Sequence, residues 1–139
     1  MKRSFFVLCA VLVSFTFSSC DLGDDGPNFH FVPLQIVSAD LPESFTLNET
    51  YEIKVTYLKP DGCTYYSGFD IVKPEITTRN VVAIGSQRTD QDVCTQVVEE
   101  KEASFNFIVI YDQTYLFRFW QSENENGEQQ YFEVEVPVN

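Results

Sequence analysis

The side chains with the strongest catalytic or metal-binding chemistry are few in this chain. It holds one histidine and four cysteines among 139 residues, against 21 acidic side chains. The histidine, His30, has no second histidine and no fitting serine or cysteine with which to form a triad or a multi-histidine metal site. We therefore expect His30 to be an ordinary polar residue, and we expect no catalytic residue and no cofactor.

The acidic side chains could supply paired carboxylates or calcium ligands. Glycoside hydrolysis needs two carboxyl groups about 5 to 10 Å apart in a cleft, one of them kept protonated by apolar surroundings. Here most acids fall in loops or on outward strand positions such as Glu52, Glu133 and Glu135. Asp90 and Asp92 have the alternate spacing of calcium loops but lack the glycine and the distant glutamate of an EF-hand. Solvated acids and no metal are expected, with a loose calcium site as the alternative.

Residues 1–19 have the anatomy of a secretory signal peptide. Two basic residues, Lys2 and Arg3, precede a short apolar run, and Ser18 and Ser19 stand immediately before Cys20. The apolar run is too short for a membrane-spanning helix, and a buried helix of the domain would have no use for the basic start. Removal of this segment changes the net charge from −12 to −14, because Lys2 and Arg3 are lost. So acidic a surface repels nucleic acid, which is excluded as a partner.

The residues around the cleavage point resemble the bacterial lipobox, in which an apolar residue and two small residues precede a cysteine. Phe17-Ser18-Ser19-Cys20 departs from the usual pattern in Phe17 and Ser19. The resemblance implies that the Cys20 thiol is acylated and becomes the mature N-terminus, which anchors the protein to the membrane. Ordinary cleavage that leaves a plain thiol is the alternative.

An acidic, glycine- and proline-containing tether occupies residues 20–28. An acidic stretch behind a lipidated cysteine resembles the surface-export signal of Bacteroidota lipoproteins. That likeness implies an extracytoplasmic protein on the outer membrane that faces outward, whereas a simple soluble spacer is the alternative.

The two remaining cysteines, Cys63 and Cys94, form an even pair in an oxidising compartment, so a disulfide is expected. Bridging residues 31 positions apart would stabilise the fold by about 3 to 4 kcal/mol. A reactive thiol or metal pair is the alternative, but neither a CxxC spacing nor a nearby histidine favours it.

Residues 29–139 show the period-two apolar alternation of β-strands throughout. The four strongest segments are Tyr51–Tyr57, Phe105–Tyr111, Tyr115–Trp120 and Tyr131–Val136, and weaker strands are expected at Val32–Ser38, Tyr65–Val72 and Val81–Gln87. About seven strands separated by turns predict an all-β, antiparallel β-sandwich.

The first and last strands resemble those of bacterial immunoglobulin-like domains. Leu34–Val37 and Phe45–Tyr57 look like strands A and B, with Asn48 able to supply the left-handed turn that usually holds glycine. Thr114–Trp120 and Tyr131–Val136 look like strands F and G, and Tyr115 stands at the tyrosine-corner position. The whole chain resembles small immunoglobulin-like lipoproteins of Bacteroidota whose function is uncharacterised.

Aromatic side chains supply the clearest binding signal. Trp120 and Tyr131 are predicted on the face opposite Phe117, where they would be exposed on neighbouring strands, and Tyr65 and Tyr66 cannot both point into the core. Exposed rings can stack on sugars or anchor a protein interface. The alternative is a second apolar contact, such as a strand edge covered by a neighbouring loop.

Three functions follow from these observations. The first is a non-enzymatic, lipid-anchored binding or structural module of the cell envelope, with another envelope protein or an extracellular ligand as partner. The second is an accessory glycan-binding surface lipoprotein of a polysaccharide-uptake system. The third is a small hydrolase, which would need an enclosed cleft with a strongly perturbed carboxylate.

The lipid anchor makes a direct prediction. Cys20→Ala removes the acylated thiol, so the protein should be released from membranes into the soluble fraction. Sedimentation of membranes in high salt checks this, and a variant that still sediments would contradict the lipid assignment.

Overall fold

The computed structural model describes Gly26 and residues 28–139, which form eight β-strands and no helix. Within this part of the chain there is accordingly no helix that could cross a membrane. The strands are β1 (Phe29–Leu34), β2 (Ile36–Asp40), β3 (Thr50–Lys59), β4 (Thr64–Val72), β5 (Thr78–Arg88), β6 (Glu99–Ile108), β7 (Tyr115–Glu123) and β8 (Gln129–Val136). The all-β prediction is confirmed, with one strand more than expected. The signal segment, Cys20 and nearly all of the tether lie outside the described residues.

The eight strands form two sheets. In the larger sheet β1, β5, β7 and β8 follow one another, and β4 pairs with the opposite edge of β5. The smaller sheet has the order β2-β3-β6. Side chains from both sheets meet in one apolar core, as in a β-sandwich.

Two predicted strands have different limits in the structure. The strand expected at Val32–Ser38 divides at Gln35, where the chain leaves the larger sheet and joins the smaller one; the amide of Leu58 donates to the Gln35 carbonyl at 2.9 Å. β6 begins at Glu99, six residues before the expected start, because it pairs with β3 along the full length of that strand. Neither change alters the apolar alternation, so the alternation could not predict them.

Among the pairs of named strands, the expectation of a wholly antiparallel sandwich is wrong for one pair. Residues Thr78–Val81 of β5 pair in parallel with Leu116–Phe119 of β7. Only β6 lies between these two strands in the sequence, and it runs back in the other sheet. The chain therefore returns to the larger sheet in the direction of β5, which makes the pairing parallel.

Aromatic rings fill the interface between the sheets. Phe45, Tyr115 and Phe117 are fully buried, and Phe107 from β6 contacts the last two at ring-centroid distances of 5.0 Å. Phe119 extends the stack along β7. Within residues 103–107 of β6 and 115–119 of β7 the odd-numbered positions are the more buried ones, as the alternation predicts.

Two local features expected from the sequence occur in the structure. Asn48 has a φ of 67°, which is the left-handed conformation predicted for the turn before β3. The hydroxyl oxygen of Tyr115 accepts hydrogen bonds from the backbone amides of Ile110 and Tyr111, at 3.2 and 3.0 Å. Tyr115 thus closes the connection between β6 and β7 with its side chain.

The disulfide between Cys63 and Cys94 is present, as predicted, with the two Cα atoms 5.4 Å apart. Cys63 is buried directly before β4, and Cys94 lies in the connection from β5 to β6. The bridge therefore joins two connections at one end of the sandwich rather than the centres of the two sheets.

Tyr115→Phe tests the hydrogen bonds that close the β6–β7 connection. Loss of the hydroxyl leaves two partly buried amides without their acceptor, which should lower the free energy of unfolding by about 1 to 3 kcal/mol. Urea unfolding measures the change. Tyr111→Phe is the matched control, because its hydroxyl contacts only the exposed Lys73 ammonium. Equal stability of the two variants would contradict the assigned role of Tyr115.

Candidate binding groove

The predicted exposure of Trp120 is wrong. The side chain is only 9% exposed, although the residue lies on the face of β7 opposite Phe117 and Phe119 as expected. It pairs across the ladder with Tyr131, immediately before an irregularity in the β7–β8 register. Its indole N–H donates to the Gln129 side-chain oxygen at 2.6 Å. Trp120 is therefore held against the protein and is not displayed on a flat surface.

Trp120 lines a groove, which forms where two strands share one edge of β5. β7 pairs with the first part of that edge, Thr78–Val81, and β1 pairs with the remainder, Ala83–Arg88. Beyond Phe119 the end of β7 has consequently left β5, and β1 takes its place. The two strands diverge, and the space between them opens on the surface.

The groove has a volume of about 540 Å³, which is within the range of small-molecule and side-chain binding sites. Its wall on the β1 side comes from the chain around Leu34, and its wall on the smaller sheet comes from the end of β3 and the start of β6. Its lining residues are Pro33, Leu34, Gln35, Leu58, Pro60, Val98, Trp120, Gln121, Ser122 and Glu123.

The position of each wall has a local cause. Leu34 packs directly on β5 because that strand has glycine at position 85: a Cβ there would lie 3.0 Å from a Leu34 methyl carbon and 2.9 Å from Thr64. On the opposite wall, Gln129 receives the Trp120 N–H and donates its own amide to Glu123 at 2.7 Å. Trp120 is thus oriented by a short hydrogen-bond chain that ends in a carboxylate.

The other three predicted binding residues lie elsewhere. Tyr66 stacks on Tyr57 between the sheets at 5.2 Å, and burial and the neighbouring Tyr57 raise the pKa of Tyr66. Tyr65 points outward beneath the Lys59 ammonium, which is 5.6 Å from its ring. The Arg118 guanidinium lies over the Tyr131 ring, 4.6 Å from the ring centroid. Tyr65 is 49% and Tyr66 38% exposed, so the two rings do not both point into the core, but they form no common platform with Trp120.

Sequence reasoning did not identify the aliphatic part of the groove. Pro33, Leu58 and Val98 come from three separate segments, and each one looks like an ordinary strand or loop residue by itself. A signal that could have found the groove is the pair of apolar residues Leu58 and Val98 at outward-facing or loop positions, where solvated residues are usual.

Asp61 is a buried acid beside the disulfide. Burial by itself would raise its pKa, but hydrogen bonds donated by the Thr64 hydroxyl at 2.8 Å, the Cys63 amide at 2.9 Å and the Gln87 amide at 3.1 Å outweigh it and lower the pKa. The ionised carboxylate is therefore stabilised. Its three donors fix the turn between β3 and β4, which indicates a structural and not a catalytic role.

Arg79 is the second buried charged group. Its Nη1 atom donates to the backbone carbonyls of Ile76 and Thr78, and its guanidinium lies 5.6 and 5.4 Å from the ring centroids of Phe107 and Tyr115. Burial lowers its pKa below the ordinary value. The aromatic rings and carbonyls replace part of its lost hydration, so Arg79 packs the core at the first residues of β5, away from the groove.

The remaining acids lie mostly on the surface. Glu52, Glu133 and Glu135 are exposed, as predicted, and Asp90 forms an ion pair with Arg88 that lowers the pKa of the Asp90 carboxyl. Among residue 26 and residues 28–139, no group of three or more potential metal ligands lies together.

Comparison with protein-family models, with curated proteins and with solved structures finds no match to this chain.

The buried Asp61 predicts a specific pH dependence. Because its pKa is lower in the folded protein, its contribution to stability is present above the ordinary aspartate pKa of about 3.9 and is lost as the pH falls through the lowered value. Asp61→Asn should therefore be less stable than the parent protein at neutral pH, and the difference should shrink in acid. Thermal unfolding between neutral pH and strongly acidic pH measures this. A difference independent of pH would contradict the role of the charge.

Proposed function

We propose that this protein is a lipid-anchored binding module of the cell envelope, without catalytic activity, that holds apolar side chains of a partner polypeptide in the Trp120 groove. The observation that carries the proposal is the groove itself. It has the volume of a ligand site, aliphatic walls and one oriented aromatic ring. Apolar anchors inserted in such pockets supply much of the free energy of protein interfaces.

The scaffold in this proposal is an immunoglobulin-like domain. Support comes from the Tyr115 hydroxyl, which binds backbone amides four and five residues upstream as in a tyrosine corner. The left-handed Asn48 before β3 also fits. The parallel β5–β7 pair and the location of the disulfide distinguish this domain from the antibody pattern.

The anchor and location in this proposal depend on Cys20 and the acidic tether. Acylation of Cys20 would attach the domain to the outer membrane, and the resemblance to Bacteroidota lipoproteins favours its exposure on the cell surface. A disulfide between Cys63 and Cys94 is consistent with an oxidising, extracytoplasmic location.

Glycan binding is the second candidate function, as an accessory lipoprotein of a polysaccharide-uptake system. One observation favours it: beside the Trp120 indole the groove has amide, hydroxyl and carboxylate groups of Gln121, Ser122 and Glu123. Such polar groups next to an aromatic ring can bind sugar hydroxyls. The aliphatic residues on the other walls favour a polypeptide partner instead.

The groove can be monitored directly, because Trp120 is the single tryptophan of the chain. Titration with synthetic extended peptides that carry alternate Leu, Val or Phe side chains should change its fluorescence emission. Val98→Glu should weaken this binding about tenfold or more, since a carboxylate must be desolvated against an apolar ligand. A response to oligosaccharides alone would establish the second candidate, and a response to neither would contradict both.

Ile108→Glu is the matched control for this experiment. Ile108 is 58% exposed and Val98 is 59% exposed, so both variants place a carboxylate at a site of equal accessibility. Only Val98 lines the groove. Equal loss of peptide binding in the two variants would assign the effect to charge in general and would contradict binding in the groove.

A further inference from the structure

Three exposed aromatic rings occupy one end of the larger sheet. Phe31 and Tyr65 lie directly opposite Ser86 on the two sides of β5, and Phe29 lies opposite Arg88. Residues opposite one another in a ladder point to the same face, so the three rings share the outer face of the sheet. We define the end patch as Phe29, Phe31 and Tyr65.

The three apolar rings of the end patch are largely exposed to solvent. Phe31 is 65% exposed, Tyr65 49% and Phe29 41%. The two phenylalanine rings contact each other edge to face at 5.4 Å, and Ser86 between the strands is too small to cover them. Exposed clusters of large apolar residues mark surfaces that contact a partner or a membrane.

The position of the patch in the chain indicates which partner it has. Phe29 is nine residues after Cys20, so a fully extended connection places β1 at most about 30 Å from an acyl anchor on Cys20. The patch begins at this first strand residue, so it lies where the connection from Cys20 enters the folded domain. Its rings also match the phenylalanine and tyrosine side chains that partition into membrane interfaces.

We propose that the end patch rests on the lipid surface and orients the domain on the membrane, an inference that depends on the proposed acylation of Cys20. The contact is apolar and not electrostatic. The chain carries a net negative charge. Of the two cations at the patch, Arg88 is paired with Asp90 at 2.6 Å, and the Lys59 ammonium lies over the Tyr65 ring at 5.6 Å. Docking should therefore be insensitive to salt and should occur on zwitterionic lipid.

Membrane docking would also fix the distance between the groove and the membrane surface. Pro33, which lines the groove, is two residues after Phe31 on β1, a distance of about 7 Å along the strand. The partner of the groove would accordingly be bound close to the membrane surface, as a membrane-attached or membrane-emerging polypeptide would be.

Quenching by brominated lipid tests the proposal on the processed, lipidated full-length protein. The protein is placed in phosphatidylcholine vesicles whose acyl chains carry bromine, which quenches tryptophan at close contact. Phe31→Trp adds a reporter in the end patch, and the parent protein gives the baseline from Trp120. We expect most of the added emission to be lost, in low and in high salt alike.

Ile108→Trp is the matched control. Ile108 is 58% exposed and lies at the far end of β6 from the end patch. The other end of β6 is Glu99, which pairs with Lys59, and the Lys59 ammonium lies over the Tyr65 ring. Glu99 and Ile108 are about 30 Å apart along the strand. Its added emission should be unaffected by bromine. Equal quenching of both reporters, or of neither, would overturn the orientation. A reporter at Phe31 that is shielded from aqueous iodide but not quenched by bromine would also overturn it, because a protein would then cover the patch.

The mass of the N-terminal peptide separates this inference from the proposed function. An acylated Cys20 with an unquenched Phe31→Trp reporter would remove the membrane contact and leave the anchored binding module intact. An unmodified Cys20 thiol would remove the anchor, and the membrane contact would be refuted with it.

Discussion

The shared edge of β5 is the constraint on which the rest of the structure depends. One edge of this strand pairs first with β7 and then with β1, while the other edge pairs with β4. Two strands cannot pair with the same residues of one edge, so the pairing of β7 stops at Val81, directly before Ala83, the partner of Leu34 at the end of β1. The division of the first strand at Gln35 and the groove both lie at this junction.

Trp120 is buried, although the apolar alternation of β7 predicts an exposed side chain at this position. On a regular outer face the indole would be exposed to solvent, with Tyr131 as its neighbour. The pairing of β7 with β5 stops at Phe119, and Trp120, the next residue, is only 9% exposed and lines the groove together with residues of β1 and of the end of β3. The hydrogen bond to Gln129 satisfies its N–H, which lets it be buried at little cost.

Buried polar groups stabilise the two ends of the sandwich in a similar way. At one end the Asp61 carboxylate accepts three hydrogen bonds next to the disulfide, and at the other the Tyr115 hydroxyl accepts two backbone amides. In each case one side chain replaces the hydrogen bonds that a strand ladder would have supplied. The connections can therefore be irregular without leaving buried donors unsatisfied.

The sequence by itself placed the centres of most strands and the inward direction of most of their side chains, because a period of two needs no knowledge of the neighbouring strand. It also identified the Cys63–Cys94 pair and the left-handed Asn48, whereas acylation of Cys20 stays a prediction. The tertiary structure alone decided the parallel pair, the burial of Trp120 and the meeting of Pro33, Leu58 and Val98 in one groove. These features depend on which strands pair and at what height, and hydrogen bonds between distant segments leave no trace in local apolar periodicity.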